Sequence, residues 1–110
     1  MQIDVAQTDK FLEFIIDGRL DATTVGELES RALEEINNHN LAVLLNFAKV
    51  EYISSAGLRA VLKIAKATQS KKLAMRCFAL QPAVFEVFKL SGFSTIIKIF
   101  DDKESAIASL

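Results

Sequence analysis

Apolar and polar residues alternate over residues 3–7, Thr8-Asp9-Lys10 supplies turn chemistry, and residues 11–16 make a second strand-like run, so the chain opens on a short hairpin. Asp17-Gly18-Arg19-Leu20-Asp21 interrupts that pattern with a glycine. From Thr24 the period changes. Val25, Leu28, Ala32 and Ile36 recur at spacings of three and four, which predicts a helix burying one stripe. Thr24 and Glu27 have capping-box spacing, and Asn37-Asn38-His39-Asn40 offers a helix-ending turn because asparagine tolerates the left-handed conformation.

Residues 41–47 are almost uninterruptedly apolar, too short for an independent helix and typical of a central strand covered on both faces. Helical spacing returns over residues 56–69, with Leu58, Val61, Leu62 and Ala65 as the core stripe and Arg59, Lys63 and Lys66 beside it. Residues 73–80 predict another buried strand. Pro82 is placed to open a helix, where its missing N–H costs nothing, and Gly92 to close it. Residues 96–100 predict a last strand, and Asp101 or Asp102 caps a short helix carrying Ala106, Ile107 and Leu110. No linker, repeat or low-complexity segment is present, so residues 1–110 are expected to form one domain. The alternation of strands and helices predicts an α/β fold with right-handed crossovers and a largely parallel sheet, to which the hairpin adds antiparallel pairing.

Composition then narrows the function. The 110 residues are 51% hydrophobic and 25% charged, an ordinary globular balance. A chain of this size buries roughly two-thirds of its unfolded surface, so a core forms without disulfides or structural metal. The single cysteine, Cys77, has no intramolecular partner and lies in an apolar run, which makes it a small buried hydrophobe and fits a reducing cytoplasm. A net charge of −1 lacks the basic excess that nucleic-acid binding requires. No apolar stretch approaches the roughly 20 residues of a membrane span, and residues 1–4 do not begin a signal peptide. Protein partners are therefore expected. His39 is the only histidine and sits in a polar turn, so no Ser-His dyad or histidine-rich metal site can be assembled. There is no glycine-rich, lysine-bearing phosphate loop either. Neither a catalytic residue nor a metal or cofactor is expected.

The informative segment is Val50-Glu51-Tyr52-Ile53-Ser54-Ser55-Ala56-Gly57-Leu58, which puts two hydroxyls and a glycine between a strand and a helix. Ser54 or Ser55 is placed to cap the helix, a role whose loss costs about 0.5–2 kcal/mol. The same position also suits a phosphate, which would meet the helix's free amides and the positive end of its dipole.

This segment resembles the STAS domains of anti-sigma factor antagonists, whose turn reads roughly Asp-Ser-Ser-Gly-Leu after a central strand. With Gly57 and Leu58 matched, the family's phosphorylated serine falls on Ser55, with Ser54 the second candidate. Ser54 replaces the family's acidic residue and Ala56 the following hydroxyl. Gly18-Arg19-Leu20-Asp21 is similar to the family's Gly-Glu-Leu-Asp loop, and Leu45-Asn46-Phe47 to its central strand end. Residues 82–92, with Phe85-Glu86-Val87-Phe88 and Leu90-Ser91-Gly92, resemble the helix that ends in a Ser-Gly pair. The resemblance implies a STAS-type fold, a mixed central sheet of about four to five strands with about four α-helices.

It also implies a cytoplasmic, monomeric partner-switching regulator. The unmodified protein binds an anti-sigma factor that is a serine protein kinase of the histidine-kinase-like ATPase type. Phosphorylation at Ser55 releases it, and a metal-dependent serine phosphatase reverses the mark. Partner contacts fall by resemblance on Asp21, Asn46, Ser54, Ala56, Gly57, Leu58 and Arg59, with Asp21 and Asn46 beside the serine loop. On their own chemistry, Asp21 is also a turn former, Asn46 a polar strand end, and Arg59, Lys63 and Lys66 a solvated helix face. Phe85, Phe88 and Phe93 are core residues or border a contact patch. The competing expectation is a non-switching STAS subunit of a signalling scaffold or lipid-transport complex, in which the serine loop is permanently buried. A receiver of some other kinase that reuses the fold is the third.

Overall fold

The hairpin and the helix-joined strands of the hydrophobic pattern are present in the computed structural model, which describes residues 1–110. The elements are β1 (Gln2–Gln7), β2 (Phe11–Leu20), α1 (Val25–Asn38), β3 (Ala42–Ile53), α2 (Ser55–Ser70), β4 (Met75–Phe78), α3 (Pro82–Leu90), β5 (Ile99–Phe100) and α4 (Lys103–Ala108). The five strands form one sheet in sequence order. β1 and β2 pair antiparallel and every later pair is parallel. The sheet is thus mixed, with four helices around it, as expected. No helix is long and apolar enough to cross a membrane.

Sequential parallel strands joined by right-handed crossovers place their connecting helices on one face. The period-2 alternation of β2 and β3 supplies that face with Leu12, Phe14, Ile16, Val43, Leu45 and Phe47, all fully buried. Leu28, Ala32 and Ile36 of α1, Leu58, Val61 and Ile64 of α2, and Val84 and Phe88 of α3 close over them in one continuous core. Phe88 meets Phe47 edge-on, with ring centroids 5.9 Å apart. The opposite face is covered only by α4, through Phe11, Leu44, Phe78 and Ala106. There Glu13 is buried, pairs with Lys103 and accepts a hydrogen bond from Asn46 Nδ2 at 3.1 Å.

Several boundaries differ from the sequence pattern. β2 does not stop at Ile16 but runs through Asp17-Gly18-Arg19-Leu20, and β3 continues to Ile53. Between the pairs Ile15↔Asn46 and Leu20↔Ile53, β2 advances five residues and β3 seven, so β3 carries two bulged residues. Gly18 relieves that mismatch with φ +122, a conformation that a side chain disfavours. The predicted strands 73–80 and 96–100 shrink to β4 and the two-residue β5. Gly92, with φ 82, ends α3 in a left-handed turn, and a 3-10 turn over Phe93–Thr95 occupies the approach to β5.

The capping box at Thr24 does not form. Its hydroxyl is committed elsewhere, donating to the Arg19 carbonyl at 2.7 Å and accepting from the Asp21 amide at 3.0 Å. Nor does an asparagine turn left-handed after α1, since the helix passes directly into extended backbone at His39. Lys71 instead caps the helix end, its Nζ donating to the Ile36 and His39 carbonyls. In α2 the inner stripe is Leu58, Val61, Ile64 and Thr68, while Leu62 and Ala65 are half-buried. Asp102, not Asp101, caps α4 by accepting from the Ser105 amide at 2.8 Å.

Cys77 is completely buried, and that burial pushes its thiol up to about 12. The folded chain keeps the proton where an unfolded thiol has lost it. This contribution to stability is whole below the ordinary thiol range and is lost as pH rises from there toward 12. Native protein at pH 8 is therefore expected not to react with Ellman's reagent, whereas one thiol per chain reacts in denaturant. Rapid reaction of the native protein would contradict the packing around β4.

Candidate functional site

The strand-to-helix junction is built by three residues with different tasks. Ser54 has extended backbone (φ −96, ψ 176) and is the N-cap of α2, its Oγ accepting from the Gly57 amide at 3.3 Å. Its own amide donates to the Leu20 carbonyl at 2.9 Å, tying the end of β3 to the end of β2. Gly57 is where α2 touches that strand end. A Cβ there would lie 2.7 Å from the Leu20 carbonyl oxygen and 2.6 Å from Ile53 Cγ1. Only a residue without a side chain lets the helix sit so low.

With Ser54 committed to the cap, Ser55 is left as the first helical residue. It is exposed, and its hydroxyl has no hydrogen-bond partner in the chain. The first amides of a helix have no intrahelical acceptor, so Ser55 stands where donors and the positive end of the dipole coincide. The two serines thus divide the roles that the sequence left open between them: Ser54 caps and Ser55 is accessible.

Asp21 shares this rim through the β2–α1 turn. Its carboxylate accepts from the Thr23 hydroxyl at 2.6 Å and the Thr23 amide at 2.9 Å. Those bonds, with Arg19 nearby, hold the Asp21 carboxyl below its usual range. The turn is accordingly firm at neutral pH and loosens as acid protonates the carboxylate.

The other expected contact residues separate into surface and support. Arg59 is exposed and Ala56 half-exposed, whereas Gly57 and Leu58 are buried and hold the helix in place, so neither offers a surface to a partner. Asn46 does not lie in the loop. It precedes Ser54 by eight positions, two of them taken up by the bulges of β3, which leaves roughly 20 Å at strand spacing. There its side chain bonds Glu13 and the Ala48 amide, the latter at 3.0 Å. The polar strand end is thus engaged with the far face of the sheet. Lys63 pairs with Glu29 of α1 at 3.4 Å, while Lys66 is exposed without an ion pair. Phe88 is core, Phe93 packs against it, and Phe85 is exposed.

Sequence reasoning passed over Arg19 and Tyr52. These residues face each other across β2 and β3 just before the loop, the Arg19 guanidinium 4.3 Å from the Tyr52 ring centroid. The signal was available: Tyr52 is the only tyrosine and sits in the alternating approach to the serines.

The STAS domain family model matches residues 2–106. BtrV of Bordetella bronchiseptica, whose name carries the words anti-sigma factor antagonist, is 30% identical over 109 residues, spanning 99% of this chain and 94% of BtrV. The crystal structure of TM1081 from Thermotoga maritima superposes with a TM-score of 0.91 at 20% identity, covering 97% of this chain and 92% of that one. Unphosphorylated SpoIIAA, an anti-sigma factor antagonist, gives 0.83 at 19% identity, covering 96% and 93%. The phosphorylated Bacillus SpoIIAA gives 0.75 at 18% identity, covering 98% of each chain. These structures share the fold.

Two substitutions test the junction by chemical denaturation. Gly57→Ala is expected to destabilise by about 1–3 kcal/mol through overpacking against the Leu20 backbone. Ser54→Ala should cost about 0.5–2 kcal/mol as a lost cap. A neutral Gly57→Ala would show that α2 is free to lift away from β2.

Proposed function

The chain belongs to the STAS domain family, and we propose that it acts as an anti-sigma factor antagonist controlled by phosphorylation at Ser55. Residues 1–110 work as one STAS domain, monomeric and cytoplasmic, that binds protein and not nucleic acid. In the unmodified state the rim formed by Asp21, Ser54, Ser55, Ala56 and Arg59 contacts an anti-sigma factor of the histidine-kinase-like serine kinase type. Gly57 and Leu58 contribute by holding the rim in position. Transfer of a phosphoryl group to Ser55 ends the contact, and a metal-dependent serine phosphatase restores it. The protein is ligand and substrate in this cycle, not catalyst.

One observation carries the reading: Ser55 is exposed at the first position of α2 with a hydroxyl that has no structural duty. A phosphate there meets helix amides without a steric rearrangement of the core and brings roughly −1.5 to −2 charges. The change is large for a partner surface fitted to a neutral hydroxyl, and local for the domain itself.

The experiment is capture from native-host lysate on immobilised wild type and Ser55→Glu, followed by mass spectrometry, with incubation of the recovered kinase, ATP and each serine variant. The expected result is a histidine-kinase-like serine kinase on wild type alone, and phosphate incorporation that Ser55→Ala abolishes and Ser54→Ala does not. Recovery of the same proteins on both baits, without such a kinase, would replace this reading with that of a permanent subunit of a signalling scaffold or lipid-transport complex.

A further inference from the structure

Beside the serine loop the chain displays an aromatic and a cation that the core does not use. Tyr52 is 42% exposed and its hydroxyl makes no hydrogen bond in the chain. Across the strand pair, the Arg19 guanidinium carbon sits over the ring, 4.3 Å from its centroid, a cation–π contact that restricts both side chains. Asp21 also approaches Arg19, its Oδ2 3.8 Å from Nε in a loose ion pair. The Arg19 carbonyl takes the Thr24 hydroxyl at 2.7 Å, anchoring the backbone below. Nη1 and Nη2 have no partner in the chain, and the side chain is 56% exposed.

Such an arrangement is costly to leave unused. Arginine ordinarily loses considerable rotamer freedom when bound, and here the ring contact and Asp21 restrict it in advance. A planar fork with two free amines matches a carboxylate in bidentate geometry, and tyrosine and arginine are the residues over-represented among the few that dominate interface energy. The pair lies on the rim: Ser55 is three residues after Tyr52, at most ~10 Å along the backbone.

Resting on the proposed function, we propose that Arg19 and Tyr52 form a specificity-determining anchor of the partner surface. Its occupant is an Asp or Glu carboxylate of the kinase, seated on the Arg19 fork with adjacent apolar surface packed on the Tyr52 ring. Asp21 positions the fork and does not itself contact that carboxylate.

The test uses the full chain and the purified kinase that wild type retains, with affinities from calorimetry and Ser55→Glu as reference. Arg19→Ala and Tyr52→Ala are each expected to weaken binding by about ten-fold or more, the loss typical of a central anchor. Tyr52→Phe should bind like wild type because the ring is kept. Arg19→Lys should also lose about ten-fold, since a lysine ammonium keeps the charge without the fork. All four should stay folded, with melting temperatures lowered by no more than the few degrees that one exposed cation–π pair accounts for, which separates an anchor from a structural contact. Arg19→Glu should be rescued by an acidic-to-lysine substitution in the kinase. If Ser55→Glu abolishes binding while Arg19→Ala and Tyr52→Ala bind like wild type, the anchor is wrong and the phosphoswitch stands. If wild type retains no such kinase, the switch reading falls and the anchor with it.

Discussion

The close approach of α2 to the end of β2 at Gly57 is the contact on which the site depends. A side chain at Gly57 would strike the Leu20 carbonyl, which is also the acceptor for the Ser54 amide. One carbonyl oxygen therefore faces both the cap residue and the helix that it caps. Because α2 cannot rise without losing that hydrogen bond, the position of its first residue is set by strand geometry rather than by loop preference. Ser55 is consequently presented by a rigid support, although it lies at a strand-to-helix turn. The proposed modification site would need such support, since a mobile serine would report its charge over a diffuse volume.

The bulges of β3 serve the same end. Two extra residues between Asn46 and Ile53 keep Val50 and Ile53 directed into the core while turning Glu51 and Tyr52 outward. β3 is covered on both faces in its first half, as Val43, Leu44 and Leu45 show, and becomes a surface-bearing strand in its second. The change from scaffold to site happens inside one element. Bulges commonly re-aim side chains next to functional regions, and here they set Tyr52 opposite Arg19.

Much of this was legible in sequence, for identifiable reasons. The run at residues 41–47 is apolar because both faces are covered, and the stripe of α1 is regular because that helix buries one side. The hydroxyl-rich turn announced a cap and a candidate acceptor, and the glycine two residues beyond Ser55 fixed the match to the family. What failed were inferences in which a side chain had a tertiary competitor. Thr24 matches a capping box in spacing, but Arg19 and Asp21 take its hydroxyl. Asn46 looks like a neighbour of the loop by motif, yet Glu13, thirty-three residues away, claims its amide. Glu13 itself sits in an apolar run and gave no local sign of its pairing with Lys103. Arg19 was hidden differently: it occupies the glutamate position of a loop that otherwise resembles the family's, so the resemblance drew attention to Asp21 instead.

The geometry also bears on how one phosphate would suffice as the proposed switch. Removing a neutral hydroxyl contact changes binding by only about 0.5–1.5 kcal/mol, less than a reliable regulator needs. A partner carboxylate seated on Arg19 would alter the balance, because Tyr52, over which Arg19 sits, is at most ~10 Å from Ser55 along the backbone. At that range two unit charges in an effective dielectric of about 20 repel by roughly 1.7 kcal/mol, and phosphoserine carries nearly two. At low ionic strength the combined penalty of about 2.5–3.3 kcal/mol corresponds to a loss of roughly a hundred-fold in affinity, and physiological salt reduces it. A phosphate on Ser55 would act in this way through the partner's own charge and would require no movement of α2. Since the Debye length at physiological salt is about 8 Å, the discrimination between modified and unmodified states weakens as salt rises, whereas the stacking of Tyr52 does not. An anchor and a repeller on one rim would be enough to make binding and release two states of a single, unchanged fold.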